Sequence, residues 1–324
     1  MFQTRITEMF GIKYPIIQGA LLWLSRAELV AAVSNAGGLG ILSALTFPTA
    51  DELREEIKKT RSLTDKPFAV NITLLPTVRA VDYQRHIDTA LEEGVKIIEM
   101  AGRSPQPYMK QLKEAKVKVM HKVARVKDTR AVERLGVDAV TIVGFEAAGH
   151  PGMDEVTSLV LVPIAVDAVK IPVIAGGGIG DGRGFTAALA LGAEGVLMGT
   201  RFMASKECPL HPKIAQWMVN ARETDTLLIE RSIKNTARVM KTEFAQRVLE
   251  LEEKGATLEE LLPFISGDRS KQSYLSGDVN DSVIACGQVV GLIDELPSVK
   301  ELIDGIISEA TVITERLYKM GTSA

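Results

Sequence analysis

Along the first two-thirds of the chain, short apolar runs alternate with longer stretches in which apolar residues recur every three or four positions. The runs Pro15–Gln18, Gly40–Ser43, Phe68–Thr73, Lys96–Met100, Lys118–Val123, Ala139–Val143, Val173–Gly176 and Gly195–Gly199 predict strands. Several are near-continuous in Val, Ile and Ala, as parallel strands buried on both faces are. Between them, Ser25–Ala36, Ala50–Leu63, Asp82–Glu93, Tyr108–Lys116, Arg130–Leu135, Leu159–Val169 and Gly182–Leu191 predict helices. Glycines at 37, 94, 136 and 192 stand just before the next strand, where a helix needs a residue that tolerates a left-handed stop.

Eight such alternations predict an α/β fold, a closed (β/α)₈ TIM barrel. Strand counting alone leaves a doubly wound open sheet as the rival. The rhythm then changes. Trp217–Arg222, Thr226–Val239 and Ala245–Lys254 read as helices with no strand between them, and a last apolar pattern spans Pro297–Arg316. The expected organisation is a barrel over 1–207, a helical insertion or lid over 208–280, and C-terminal helices over 281–324 that pack back on the barrel.

Composition narrows the function classes. Lys plus Arg total 38 and Asp plus Glu 41, a net charge of −3. Without a basic tract, nucleic acid and anionic lipid find no footprint. No apolar run reaches the roughly 18–20 residues of a membrane-spanning helix, so no membrane insertion is expected. The start of the chain has no secretory-signal pattern, and Cys208 and Cys286 form no disulfide framework. A cytoplasmic protein is the expectation. The four histidines lack ligand spacing, so no metal site is expected. Nothing in the chain fixes an oligomeric state.

In a (β/α)₈ barrel, functional residues cluster at the C-terminal ends of the strands, and a phosphate site often follows strands seven and eight. Those loops here are Gly176-Gly177-Gly178 and Gly199-Thr200. Successive glycines let backbone N–H groups approach an anion, the Thr200 hydroxyl can donate to it, and the next helix N-terminus adds partial positive charge. The bland alternative is a sharp strand-to-helix turn. A dinucleotide fingerprint is absent: Gly182-x-Gly184-x-x-Ala187 begins inside a helix, without the acidic residue expected about 20 positions on. Asn71 and Thr73 alternate with Val70 and Ile72, so both can face the barrel mouth and suit a heterocycle's edge. Lys122 sits in an apolar run where a cation needs a partner or an open strand end, and there it can stabilise an anionic reduced ligand. His150, in a glycine-rich loop, can hold or move a proton near neutral pH.

The segments Tyr14–Gly19, Asn35–Gly40, Pro67–Asn71, Glu146–His150, Ala175–Gly178 and Met198–Phe202 together resemble the nitronate monooxygenase (2-nitropropane dioxygenase-like) superfamily. The match continues through Ser232–Val239 and Ala285–Leu292. The resemblance implies an FMN barrel with a lid. Gly176, Gly177, Gly178, Gly199 and Thr200 would surround the flavin phosphate. Asn71, Thr73, Lys122 and Gly149 would line the flavin, with the turn Gly19, Ala20 to Leu22 against the ring and His150 beside the reactive N5. Thr73–Pro76, His121-Lys122 and Glu207–Pro212 most resemble the superfamily's bacterial NADH:quinone reductase branch. Its enoyl reductases usually lack the lysine after strand five, so Lys122 points away from them.

The expected function is therefore an FMN-dependent oxidoreductase of small molecules, oxidising a nitronate with reoxidation by O₂. An NAD(P)H:quinone reductase, with NAD(P)H as donor, is the alternative. An enoyl-acyl-carrier-protein reductase, a class I aldolase-like barrel with Lys122 as Schiff-base lysine, and a non-catalytic flavin sensor complete the set.

Overall fold

The computed structural model describes residues 2–75 and 81–322. Helix α1 (Arg5–Phe10), which the sequence pattern did not announce, precedes the alternation. The order then runs β1 (Ile16–Gln18), α2 (Ala27–Asn35), β2 (Gly40–Ser43), α3 (Ala50–Leu63), β3 (Phe68–Leu74), α4 (Tyr83–Glu92) and β4 (Ile97–Gly102). It continues through α5 (Gln106–Glu114), β5 (Lys118–Val123), α6 (Val126–Leu135), β6 (Ala139–Val143), α7 (Ser158–Ala168), β7 (Val173–Gly176), α8 (Gly182–Ala190) and β8 (Gly195–Met198). Every strand overlaps its expected run. The glycines expected to stop helices, at 37, 94, 136 and 192, all take left-handed backbone angles.

The strands form one parallel sheet in the order β1-β8-β7-β6-β5-β4-β3-β2. Leu39, just before β2, closes it. Its N–H donates to Ile16 O at 2.9 Å, and Gln18 N–H donates to Leu39 O at 3.0 Å. That closure rules out the open doubly wound sheet. Strand alternation then divides the core in two. Ile17, Leu39, Ile41, Ala69, Ile97, Met120, Ala139, Ile174 and Leu197 pack together inside the barrel, plugged by Ile6 and Phe10 of α1. Val70, Ile98, Val119, Val140 and Val196 pack outward against the helices.

After β8 come α9 (Thr200–Met203) and α10 (Pro212–Asn220), and then the structure departs from the pattern. Thr226–Val239 is not a helix. It is an antiparallel hairpin of β9 (Thr226–Ile229) and β10 (Ala237–Met240), with Ala237 opposite Ile229 and Met240 opposite Thr226. The apolar spacing of this stretch imitates a helix. Its turn rests on Glu230 and Lys234 in left-handed conformations rather than on the glycine or Asn-Gly signals that mark hairpins. Helices α11 (Glu243–Glu253), α12 (Leu258–Ile265) and α13 (Gly267–Ser276) follow. Ile229, Ala237, Val239, Phe244, Val248 and Leu261 give hairpin and helices a small core of their own. The last helix, α14 (Val299–Thr322), buries Leu302, Ile303, Ile306 and Ala310 and packs on α8 and α2. No helix among the described residues is long and apolar enough to cross a membrane.

Candidate functional site

Inside the barrel, the apolar layer gives way to polar residues toward the C-terminal strand ends. Parallel register puts Asn71 beside Glu99 and Lys122 beside Thr141. Asn71 Nδ2 donates to Glu99 Oε2 at 2.7 Å, and Thr73 Oγ1 donates to Asn71 Oδ1 at 2.8 Å. Lys122 Nζ lies 3.5 Å from Glu99 Oε1. The carboxylate is fully buried, whereas the lysine keeps about a quarter of its side-chain surface. Asn71, Thr73 and Lys122, each singled out by its own place in the sequence, are thus one network organised by a carboxylate that sequence reasoning missed. The signal was present: an acidic residue in the apolar run Lys96–Met100 is costly unless paired. Glu99 Oε1 and Thr141 Oγ1 lack a hydrogen-bond partner. The mouth therefore keeps unused polar capacity, to which Asn71 adds one amide hydrogen.

His121 belongs elsewhere. It points away from Lys122 on the outer side of β5, where burial pulls its pKa to about 4.

Gly176 ends β7, and Gly177 and Gly178 follow with φ of 95° and 72°. A side chain on Gly177 would come within 3.1 Å of both Gly144 N and Gly144 O, so this turn admits glycine for two reasons. Across the mouth, a side chain on Gly199 would meet only Leu21, 3.5 Å away. Thr200 Oγ1 accepts from Gly287 N–H at 3.0 Å and keeps its own hydrogen to donate. One expected contributor is spoken for. The N-terminus of α8 is capped by Asp181, which accepts from Gly184 N–H at 2.9 Å, and by Glu309 of α14, which accepts from Gly182 N–H at 2.7 Å. Those carboxylates use the helix-end charge that a bound anion would otherwise take. The remaining donors are the two glycine turns and Thr200.

The turn after β1 is only partly a ligand surface. Gly19 N–H completes the ladder to Met198 O at 2.9 Å, and a side chain there would strike Leu197 at 2.7 Å, so packing explains this glycine. Ala20 packs against the interior cluster. Leu22 is exposed and lies toward Gly267 at the start of α13. In the stretch Thr73–Pro76, Pro76 lies outside the described residues.

His150 stands on the β6–α7 loop, beyond the C-terminal end of β6, and the β9–β10 hairpin pairs with that loop. Gly149 and Arg238 of β10 form an antiparallel bridge, with Arg238 N–H donating to Gly149 O at 2.6 Å and Gly149 N–H to Arg238 O at 3.0 Å. The buried Arg238 guanidinium donates to Phe145 O at 3.2 and 3.1 Å and to Thr226 Oγ1 at 3.2 Å. At the loop's other end, Glu146 accepts from Ser158 N–H at 3.0 Å, capping α7 and backing the Gly177–Gly178 turn. Asn235 Nδ2 donates to His150 Nε2 at 3.1 Å. Crowding by protein lowers the imidazole pKa through desolvation, while the residue's exposed edge lets water limit the shift. Gly149 has φ of 66° and no protein atom within 4 Å of where a side chain would start. Glycine turns, a hydroxyl, a lysine–carboxylate pair and one histidine thus stand at or beyond the C-terminal ends of the barrel strands. That donor set suits a phosphate-bearing planar heterocycle.

This chain is similar to known proteins over most of its length. FabK from Thermotoga maritima shares 40% sequence identity with this chain, covers 99% of it and 100% of its own length, and superposes with a TM-score of 0.92. The (3aS,4S,5R,7aS)-5-hydroxy-7a-methyl-1-oxo-octahydro-1H-indene-4-carboxyl-CoA dehydrogenase of Rhodococcus jostii is 35% identical over 95% of this chain and 96% of its own. A probable nitronate monooxygenase of Staphylococcus aureus is 34% identical over 77% of this chain and 81% of its own. The sequence model of the nitronate monooxygenase family matches residues 3–309, and the chain belongs to that family of oxidoreductases.

Proposed function

We propose that this protein binds FMN at the barrel mouth and oxidises a nitronate, with O₂ as the final electron acceptor. The observation that carries the reading is the convergence, at one end of the barrel, of the Gly176–Gly178 and Gly199–Thr200 turns with the Asn71–Glu99–Lys122 network and His150. When bound, FMN supplies the electron transfer. The backbone N–H groups of Gly177, Gly178 and Gly199, with the Thr200 hydroxyl, hold the phosphate. Asn71 and Thr73 offer hydrogen bonds to the ring edge. Lys122 would place positive charge there, moderated by Glu99, where it would favour negative charge on the ring. His150 holds the substrate anion or moves a proton at its ring nitrogen. The Schiff-base alternative is weakened because Lys122 Nζ is held 3.5 Å from the buried Glu99 carboxylate rather than left free for attack.

The CoA-thioester chemistry in the name of the Rhodococcus jostii relative, together with the similarity to FabK, favours a second reading: redox chemistry on an acyl thioester, with NAD(P)H as donor in the reductive direction. One experiment separates the two. Purified protein is titrated anaerobically with a nitronate, NADH and NADPH in turn while the visible spectrum is followed. Bleaching of a yellow FMN spectrum by the nitronate supports the first reading. Bleaching by a nicotinamide alone, followed by reoxidation with an enoyl thioester or a quinone, replaces it. A colourless protein that cannot be loaded with FMN removes both.

A further inference from the structure

Behind His150 lies a buried carboxyl that the proposed chemistry does not use. Glu230, in the β9–β10 turn, is 5% exposed and takes a left-handed φ of 63°, which side chains other than glycine adopt only under tertiary constraint. Its N–H donates to Glu252 Oε2 of α11 at 2.6 Å, and its C=O accepts from Asn235 N–H at 3.0 Å. Its own carboxylate accepts from Asn235 Nδ2, the atom that also donates to His150 Nε2 at 3.1 Å. Glu230, Asn235 and His150 form one line from the interior of the hairpin-and-helix unit over β9–α13, here called the cap, to the loop after β6.

We propose that Glu230 and Asn235 are positioning residues that decide which imidazole nitrogen of His150 carries the proton. With Glu230 ionised, the two Asn235 amide hydrogens serve two acceptors, the carboxylate and His150 Nε2. A neutral imidazole must then carry its proton on Nδ1. With Glu230 protonated, its O–H needs an acceptor. Turning the Asn235 amide by half a rotation presents Oδ1, whose two lone pairs accept from the carboxyl O–H and from His150 Nε2–H. Amide nitrogen and oxygen are nearly the same size, so the turn needs no repacking. In a neutral ring the net charge is conserved: Nδ1 releases a proton to water and Nε2 takes one up.

The local electrostatics put this exchange near neutrality. Burial, aided by the negative charge of Glu252, raises the Glu230 carboxyl to about 7, against the pull of the Asn235 hydrogen bond. Desolvation lowers the His150 pKa, the direction that favours the neutral ring. Of the other charged groups nearby, Arg231 is paired with Glu155, and Arg238 is engaged with Phe145 O and Thr226 rather than with the ring. Glu252 is itself held by the Ser232 N–H at 3.0 Å and hydroxyl at 2.8 Å. Asn235 leaves Nδ1 free for a ligand. That nitrogen is a bare acceptor below the Glu230 midpoint and a hydrogen-bond donor above it.

The linkage itself does not depend on the flavin, whereas its effect on turnover rests on the function proposed above. The test is nitrogen NMR of the imidazole tautomers in the purified protein, uniformly labelled with ¹⁵N. The chain has four histidines, so the His150 signals are identified by their loss in His150→Gln. In the parent, Nε2 should pass from unprotonated to protonated as the pH falls from about 8.5 to about 6, the range where a group tuned near 7 titrates. Glu230→Gln, which cannot ionise, should abolish that transition. Asn235→Ala should leave the His150 tautomer insensitive to Glu230, and it serves where Glu230→Gln does not fold. A His150 tautomer that stays constant across the range in the parent, or that changes identically in a folded variant, overturns the proposal. If the tautomer switches as expected but nitronate turnover shows no matching pH step, the linkage stands and the role of His150 beside the flavin falls.

Discussion

Two regions of this molecule meet at the same opening and hold their functional groups by different means. Asn71, Glu99 and Lys122 stand on β3, β4 and β5, each hydrogen-bonded to a strand on either side, so the backbone ladder fixes their mutual positions. His150 stands on a loop that is tied to the cap by an antiparallel bridge and by side chains of Arg231, Asn235 and Arg238. The barrel side presents a charge pair of fixed geometry. The cap side presents a carboxyl that titrates at about 7 beside side chains that can exchange donors and acceptors. The difference teaches that a rigid scaffold suits the holding of a cofactor, whereas the step that handles protons is better placed on an element with two accessible arrangements.

The largest expected effect falls on the cap side. His150→Ala should retain FMN and lose turnover by about 10²–10⁴-fold, the usual cost of removing one positioned acid or base. Steady-state rates on the best substrate, with flavin content measured alongside, check this. Undiminished turnover would mean that the loop only covers the site.

On the barrel side, Lys122→Met leaves Glu99 buried without its counter-ion. Breaking a buried pair this way costs about 3–5 kcal/mol, and the partial exposure of Lys122 argues for the lower end. Urea unfolding should show the loss at neutral pH, and Lys122→Met combined with Glu99→Gln should recover most of it. The single variant should also lower the flavin reduction potential. An unchanged potential at full FMN occupancy would move the lysine away from the ring.

A smaller effect is the pH dependence contributed by Glu230. Its carboxyl titrates at about 7 when folded, against an ordinary value of 4.5, so the folded state binds this proton more tightly than the unfolded chain does. The resulting stability is fully present below 4.5 and is lost as the pH rises to about 7. Relative to Glu230→Gln, the parent should therefore weaken across that interval, by at most about 1.4 kcal/mol per pH unit. Parallel curves for the two proteins would contradict the burial assigned to this carboxyl.

The smallest is Gly149→Ala. With no protein atom near the added carbon, the cost is the left-handed backbone alone, about 1 kcal/mol. FMN should nevertheless be held less tightly if the flavin lies against that face. Unchanged retention would place it elsewhere.

Much of the barrel is legible in the order of residues alone. Buried parallel strands are short and continuously apolar, helices around them are amphipathic, and each statement is local. The glycine turns after β7 and β8 are legible for the same reason, because a left-handed glycine acts where it stands. Asn71, Thr73 and Lys122 stand out, since polar residues in apolar strands need a reason. Their partner Glu99 carries the same signal, but the cation it pairs with, Lys122, stands on the next strand.

Other features were decided only by contacts between distant parts of the chain. Glu309 stands 127 positions from Gly182, yet its carboxylate takes the N–H at the start of α8. Thr226–Val239 has helix-like apolar spacing, but pairing of its two ends, with burial of Ile229, Ala237 and Val239 in the cap core, makes it a hairpin. Nothing local in Glu230 announces a left-handed conformation, because cap packing imposes it. The sequence by itself determined the barrel, its open end and the glycine turns, all set by local periodicity and backbone freedom. Only tertiary structure could join His150, Asn235 and Glu230, because hydrogen bonding between groups 85 positions apart depends on where the folded chain has carried them.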